Sequence, residues 1–315
     1  MKGHALRSFL AVTRCGSIRG AAAALRLAPS AVSRQVAELE AEAGQPLLER
    51  LPRGVQLTEA GRAVAEHAQR QEEEATALRD HLRRLRGGEE GVVRLCCGEG
   101  FLPGLMEQGL PGFAEAHPGL RYAVQAGGTD RILAAVAEGE ADLGLAYNPP
   151  AHPALASAAR ARQPLVALLP PRHPLAPPLA GQDRPLPDPL PDPLPLAALA
   201  REKVALLSPG HGIRHLLARA EADGGFRLDV RLETGSVETL RRFALAGMGL
   251  TFLPEFAAAG DLAAGRLRAL PLADPLLAEA SAHLLHRAGR RLPRPAALLA
   301  EWLAARLDAF RPVSP

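Results

Sequence analysis

The sequence predicts an α/β protein: a helical head, a long connecting helix and a larger body of two α/β lobes. Three observations predict this. Short helical periodicities broken by tight turn signals fill the first fifty residues. An apolar seam then runs without a proline from 58 to 86, and from 91 onward strand-like apolar runs alternate with amphipathic helices.

The head begins with Leu6, Phe9, Leu10 and Thr13 on one helical face, which stops at Gly16. Ser17 is a suitable N-cap for a second helix, SIRGAAAALRL, whose alanines permit close approach to a neighbour. The third helix is APSAVSRQVAELE, residues 28–40. Pro29 has φ preset for a first turn and lacks only a donor that the turn would leave unpaired. Val32, Val36 and Leu39 form its apolar stripe, so Ser30, Ser33 and Arg34 face the other way. Glu38, Glu40 and Glu42 stand away from its start, where the helix dipole would favour acid, and this leaves room for a negative partner. Two short helices, a tight turn and a polar outward second helix make a helix-turn-helix pattern. QPLLERLPRGVQLT then reads as a hairpin with a basic tip at Pro52-Arg53-Gly54, the wing of a winged variant.

Charge agrees with a phosphate-binding head. Residues 1–62 carry nine Lys and Arg against five acids, an excess larger than the whole chain's +3. The predicted DNA-contacting set is Pro29, Ser30, Ser33, Arg34 and Gln35 on the helix, with Arg50 and Arg53 on the wing.

From Thr58 to Arg86 a helix of about 29 residues would span roughly 43 Å. Leu57, Ala60, Val64, Ala68, Gln71, Ala75, Leu78, Leu82 and Leu85 recur every three or four positions along it. A second copy of the same helix is the simplest cover, with Val64, Ala68, Ala75, Leu78, Leu82 and Leu85 as the dimerising face. Packing on the chain's own body is the alternative.

In the body, VVRLCCG, LRYAVQAGG, ADLGLAYN, VALLS, RLDVRLET, MGLTFLPE and the stretch around AHLLHRA read as strands. Helices lie between them, and RPAALLAEWLAARLDAF closes the series. Open, parallel-rich sheets are expected, with ligands received beyond strand ends and at helix N-termini. The residues there are Glu99, Gly100 and Phe101; Gly128 and Thr129; Tyr147 and Asn148; Ser208, His211 and Gly212; and Thr234, Gly235 and Ser236. Their N–H and hydroxyl donors suit a carboxylate or other anion, with ordinary turn residues as the plainer reading. Glu99 either pairs with a cationic group on a ligand or faces solvent. PLPDPLPDPLP, residues 185–195, reads as a surface insertion, with a polyproline docking segment as the alternative.

Other chemistries lack their signatures. Three cysteines, two of them adjacent at Cys96-Cys97, make no disulfide framework and fit a reducing cytosol. Cys96 and Cys97 on one strand would point to opposite faces as buried structural thiols. No run of 18 apolar residues or secretory leader is present. Histidine spacings suit no metal, and neither a P-loop nor a nucleophile elbow occurs, so no catalytic residue, metal or cofactor is expected.

Residues 16–61, GSIRGAAAALRLAPSAVSRQVAELEAEAGQPLLERLPRGVQLTEAG, resemble the DNA-binding signature of LysR-type transcriptional regulators. The resemblance implies a winged helix-turn-helix over 1–61, a dimerising linker helix over 58–87 and a two-lobed, periplasmic-binding-protein-like effector domain over 91–315, with a Pro-rich insertion near 170–195. It also implies promoter DNA, a small effector and a homodimer or homotetramer as partners, in the cytoplasm and away from membranes. Ala28 and Ser30 depart from the family, which often has a capping Ser and a Pro there, so Pro29-Ser30 are expected to supply cap and turn differently. The rival reading is a cytosolic α/β enzyme, or a small-molecule-binding protein, with a helical appendage.

Overall fold

The structure is a computed structural model that describes residues 3–51, 54–85, 91–176 and 193–311, with backbone only at 50–51 and over parts of 72–85. It divides into two units, 1–88 and 89–315.

In the first unit, α1 (Gly3–Cys15), α2 (Ile18–Leu25) and α3 (Pro29–Ala43) enclose a core of Leu6, Phe9, Val12, Ala21, Val32, Val36 and Leu39. The stripe predicted for α3 is thus the buried one. Ser17 caps α2, its hydroxyl accepting the Gly20 N–H at 3.1 Å. Helix α2 ends on Arg26 in the left-handed conformation (φ 54°), which turns the chain toward α3. Ala28 holds the N-cap position of α3 with no side-chain cap, so Pro29-Ser30 supply none either. Pro29 at the first turn sets the helix by its fixed φ. The wing is the antiparallel pair β1 (Leu48–Leu51) and β2 (Gly54–Leu57). Glu40 anchors it, its carboxylate accepting the N–H groups of Leu47 and Leu48 at 2.9 and 3.2 Å.

Thr58 caps α4 (Glu59–Leu85) through the Gly61 N–H at 2.9 Å. Ala68 is buried, and Val64 packs beside it, in the core that α1 completes. These two members of the expected dimer seam are covered by the chain's own head, because the first turns of α4 lie on α1. Ala75 and Leu78, further along, are exposed. The side chains of Leu82 and Leu85 lie outside the described residues.

The second unit has two five-stranded sheets. Lobe I orders β4 (Leu120–Ala126), β3 (Gly91–Cys97), β5 (Leu143–Tyr147), β12 (Ser281–Arg287) and β6 (Leu155–Arg162). Lobe II orders β11 (Arg268–Pro271), β7 (Leu165–Leu169), β10 (Leu250–Pro254), β8 (Lys203–Leu207) and β9 (Asp229–Thr234). In each sheet half of the strand pairings are parallel and half antiparallel, which corrects the parallel-rich expectation. Strand β12 runs against both of its neighbours, β5 and β6, and β7 runs against both β10 and β11. Each of these reversed strands is the one the chain enters after crossing between lobes, from β6 into β7 and from β11 back into β12. At the crossings Gln163 donates its N–H to the Ala280 carbonyl at 2.8 Å.

In lobe I, helices α5 (Leu102–Gly104) and α6 (Leu110–Ala116), joined by a π-turn, pack with α12 (Arg294–Arg306) on one face of the sheet, and α7 (Thr129–Ala137) packs on the other. Lobe II carries α8 (Gly212–Gly224), α9 (Val237–Leu245), α10 (Ala259–Ala263) and α11 (Pro275–Ala278). Cys96 and Cys97 enter different core clusters on opposite faces of β3. Burial raises both thiols, Cys97 to about 12, so both are held as inert thiols. Most of the Pro-rich insertion lies outside the described residues; its end pairs Leu194 with Leu272.

Candidate functional site

The two units each present one candidate site. On the head, burial of Val32, Val36 and Leu39 leaves Pro29, Ser30 and Arg34 exposed at the start of α3, with Ser33 half-buried. Arg34 is 75% exposed, with a loose 3.8 Å contact to Glu38, so its guanidinium is available to a partner. Gln35 departs from the expected set. Its side chain turns inward and accepts the Ser8 hydroxyl of α1, so it positions α3 rather than reaching outward. The Arg50 side chain and Arg53 lie outside the described residues.

In the second unit the cleft between the lobes is lined by Glu99, Gly100, Phe101, Thr129, Tyr147, His211 and Gly212 from the predicted set. It is also lined by Ile132, Leu207, Ile213, Val237, Leu253, Pro254, Phe256 and Ala257, which sequence reasoning missed because apolar strand ends look like core. Its volume is about 40 Å³, room for a few waters. The lobes meet here, and past Phe101 and Phe256 the space between them widens to about 290 Å³, with Glu107, Gln108, Arg241 and Arg266 on its walls.

The Asp130 N–H of lobe I reaches the Gly210 carbonyl of lobe II at 3.3 Å, and two lobe I oxygens join the lobes as well, each on the N-terminus of a lobe II helix. Thr129 accepts the Gly212 N–H at the start of α8 at 2.8 Å. Glu99, just past β3, caps α9. Its carboxylate accepts the Ser236 hydroxyl at 3.0 Å, the Val237 N–H at 2.5 Å and the Glu238 N–H at 3.4 Å. Glu99 thus neither faces solvent nor awaits a cation. Ser236 in turn accepts the Thr239 N–H at 3.2 Å, and Thr234 accepts the Ser236 N–H at 3.2 Å. Behind Glu99, the Phe101 and Phe256 rings meet at 4.8 Å.

Other predicted residues serve the frame. Gly128 packs on the Gly210 carbonyl without lining the cleft. Asn148, at φ 45°, donates its N–H to the Ser281 carbonyl at 2.7 Å. The Ser208 N–H bonds the Thr234 carbonyl at 2.9 Å, and the Ser208 carbonyl meets the His211 ring at 2.9 Å; Ser208 and Gly235 line no cleft wall. Tyr147 points its hydroxyl at the Gln163 carbonyl, 2.7 Å away, in the crossing between lobes. Burial raises that phenol well above its ordinary range, so it stays a neutral donor.

Among the described residues no cluster of ligating side chains could hold a metal. No helix of the described chain is long and apolar enough to cross a membrane.

The sequence matches two family models in the order the fold shows. Residues 4–62 match the bacterial regulatory helix-turn-helix protein, lysR family, and residues 86–308 match the LysR substrate binding domain. A RuBisCO operon transcriptional regulator of Acidithiobacillus ferrooxidans is 30% identical over 310 residues, covering 97% of this chain and 94% of that one. The regulator CbbR of Cereibacter sphaeroides is 33% identical over 318 residues, covering 98% and 96%. A full-length OxyR variant of Pseudomonas aeruginosa shares the fold, with a TM-score of 0.68, 21% identity and coverage of 100% and 99%. The regulatory domain of Synechocystis CcmR, solved with 2-PG, superposes with a TM-score of 0.56 at 23% identity, covering 69% of this chain and 97% of that one. With a regulatory helix-turn-helix joined to a substrate-binding domain, the chain is a DNA-binding transcriptional regulator, not an enzyme, and it belongs to the LysR family.

Proposed function

We propose that this regulator binds promoter DNA through the start of α3 and adjusts that binding when a small effector enters the interlobe cleft. The observation that carries the DNA reading is the division of α3. Its stripe is buried, and its outward residues are two serines, an exposed guanidinium and the positive end of a helix. Arg34 has the reach and the paired donors to hold a guanine edge, while Ser30 and the helix terminus lie at the phosphates. The wing, with Arg50 and Arg53, follows the adjacent backbone or minor groove. The exposed part of α4 around Ala75 and Leu78, continuing to Leu82 and Leu85, meets a second copy, and such dimers assemble further into tetramers. The protein works in the cytoplasm.

For the cleft, the support is chemical. The N-terminus of α9 already holds a carboxylate in good geometry, so an anionic or carboxylate-bearing effector fits there. The CcmR domain, solved with 2-PG, is a fold relative consistent with such a ligand. The test is a salt titration of binding to promoter fragments from the neighbouring genes. Specific binding that steepens with falling salt, in half-sites roughly 34–36 Å or a multiple apart, supports the reading. Identical affinity for promoter and random DNA at every salt concentration refutes it.

A further inference from the structure

The cleft contains an anion of its own. Glu99 belongs to lobe I and its three donors to lobe II, 137 to 139 positions away in sequence. Its carboxylate lies where backbone N–H groups at a helix start concentrate partial positive charge. Among the described residues the pocket at Glu99 is lined by no Lys or Arg; Arg241 and Arg266 line a separate space of about 290 Å³ beyond Phe101 and Phe256, and both pair with Asp261. Within the pocket at Glu99 an arriving oxyanion would find no cationic side chain to receive it and would meet Glu99 as a like charge. The space left beside that carboxylate, about 40 Å³, is room for a few waters.

We propose that Glu99 is the resident ligand of the cleft: it latches the two lobes through α9, and an effector bearing a carboxylate or phosphate binds by taking its place. This rests on the effector reading of the cleft and adds the residue that sets its threshold. Displacement exchanges one anion for another at the same N–H groups, so the cost of freeing Glu99 falls on every effector. Two acids then compete for one helix start. The neutral contact at α8, Thr129 to Gly212, requires no such exchange.

The test is amide hydrogen exchange at Val237 and Glu238 in the full-length protein. In Glu99→Ala, exchange at Val237 should rise roughly ten- to a hundredfold, as expected for losing a charge-assisted hydrogen bond. Acetate, titrated at constant ionic strength, should restore protection in Glu99→Ala and leave the parent protein unchanged. Ethylammonium should do nothing to either. Parent-like exchange in Glu99→Ala, or an equal acetate response in both proteins, overturns the proposal. Should Glu99→Ala fail to fold, Glu99→Gln keeps the shape and removes the charge; several-fold faster exchange supports the latch and parent rates refute it. Promoter footprints of the same variants separate the two readings. Faster exchange with an unchanged footprint leaves the latch standing and removes the cleft from regulation.

Discussion

Thr129 and Gly212 meet across the cleft, the threonine oxygen accepting the glycine N–H at 2.8 Å. Glycine is required there, because a Cβ would stand 2.0 Å from the Tyr147 carbonyl oxygen of the opposite lobe. Gly212→Ala should therefore hold the lobes apart, raising the radius of gyration in small-angle scattering while leaving both sheets folded. Thr129→Val leaves the Gly212 N–H without its partner, a loss on the order of 1–3 kcal/mol to the closed arrangement. Effector response should weaken in Thr129→Val with promoter binding intact. An unaltered dose–response would move the effector site elsewhere.

At the head, Arg34→Ala should cost roughly 1–3 kcal/mol on the specific promoter site and much less on random DNA. Arg53→Ala should weaken both and flatten the salt slope, as a backbone contact does. Equal losses on both DNAs for Arg34→Ala would show that α3 holds phosphate only.

Leu78, 58% exposed on α4, is the side chain to test for self-association. Leu78→Glu introduces charge into an interface that should be dry, and light scattering should report dissociation. Val64→Ala acts differently: Val64 packs in the head's own core, so it should lower stability with the oligomer unchanged. A full-size oligomer in Leu78→Glu would exclude this part of α4 as the main contact.

His283 supplies a pH signature. Burial first, and then the charge of Arg160, lower its pKa to about 4. Its ring sits between the Ser157 and Ser281 hydroxyls, each at 2.9 Å. The folded state keeps the ring neutral while the unfolded chain takes up a proton below about 6.5. Stability is therefore full above pH 6.5, and it falls as pH drops from there to about 4, by on the order of 2–3 kcal/mol. Denaturant melts of the parent and His283→Asn across that window should differ in slope. Parallel curves would mean the ring titrates freely in the fold.

The head was legible because its signals are local. Proline at a first turn, a serine cap and an apolar stripe at i, i+4 and i+7 each act within one helix. In the lobes seven strands were legible, but β6, β7 and β11 were not, and neither was the assembly of the strands into sheets. LASAARAR and LVALL, now β6 and β7, are split only by Gln163-Pro164 at the crossing, and nothing in their pattern tells which sheet takes which strand. Along α4 the three-four spacing showed a seam, but the same seam serves two bodies, the head near Val64 and the outside near Leu78. Gln35 sat on the expected helix, and only the position of Ser8 on α1 decides that it turns inward. At the cleft, Glu99 stood out as an acid among glycines and hydroxyls, while its true partner, the start of α9, is a matter of tertiary closure. Phe256 gave no signal, because an apolar residue after an apolar strand looks the same whether it fills a core or walls a cleft.

The double crossing at Gln163 and Ala280 has a consequence for how the protein is made. Lobe II is drawn from one continuous stretch of chain, whereas lobe I takes β12 and α12 from beyond it. Strand β12 lies between β5 and β6, so on the ribosome the sheet of lobe I has a gap in its interior until Ser281–Arg287 has emerged. Lobe II can finish first, and the strands around the gap must wait with open edges. Truncations that end before Ser281 should therefore yield a sound lobe II beside an aggregation-prone remnant, and a nascent chain stalled there is where a chaperone would be needed.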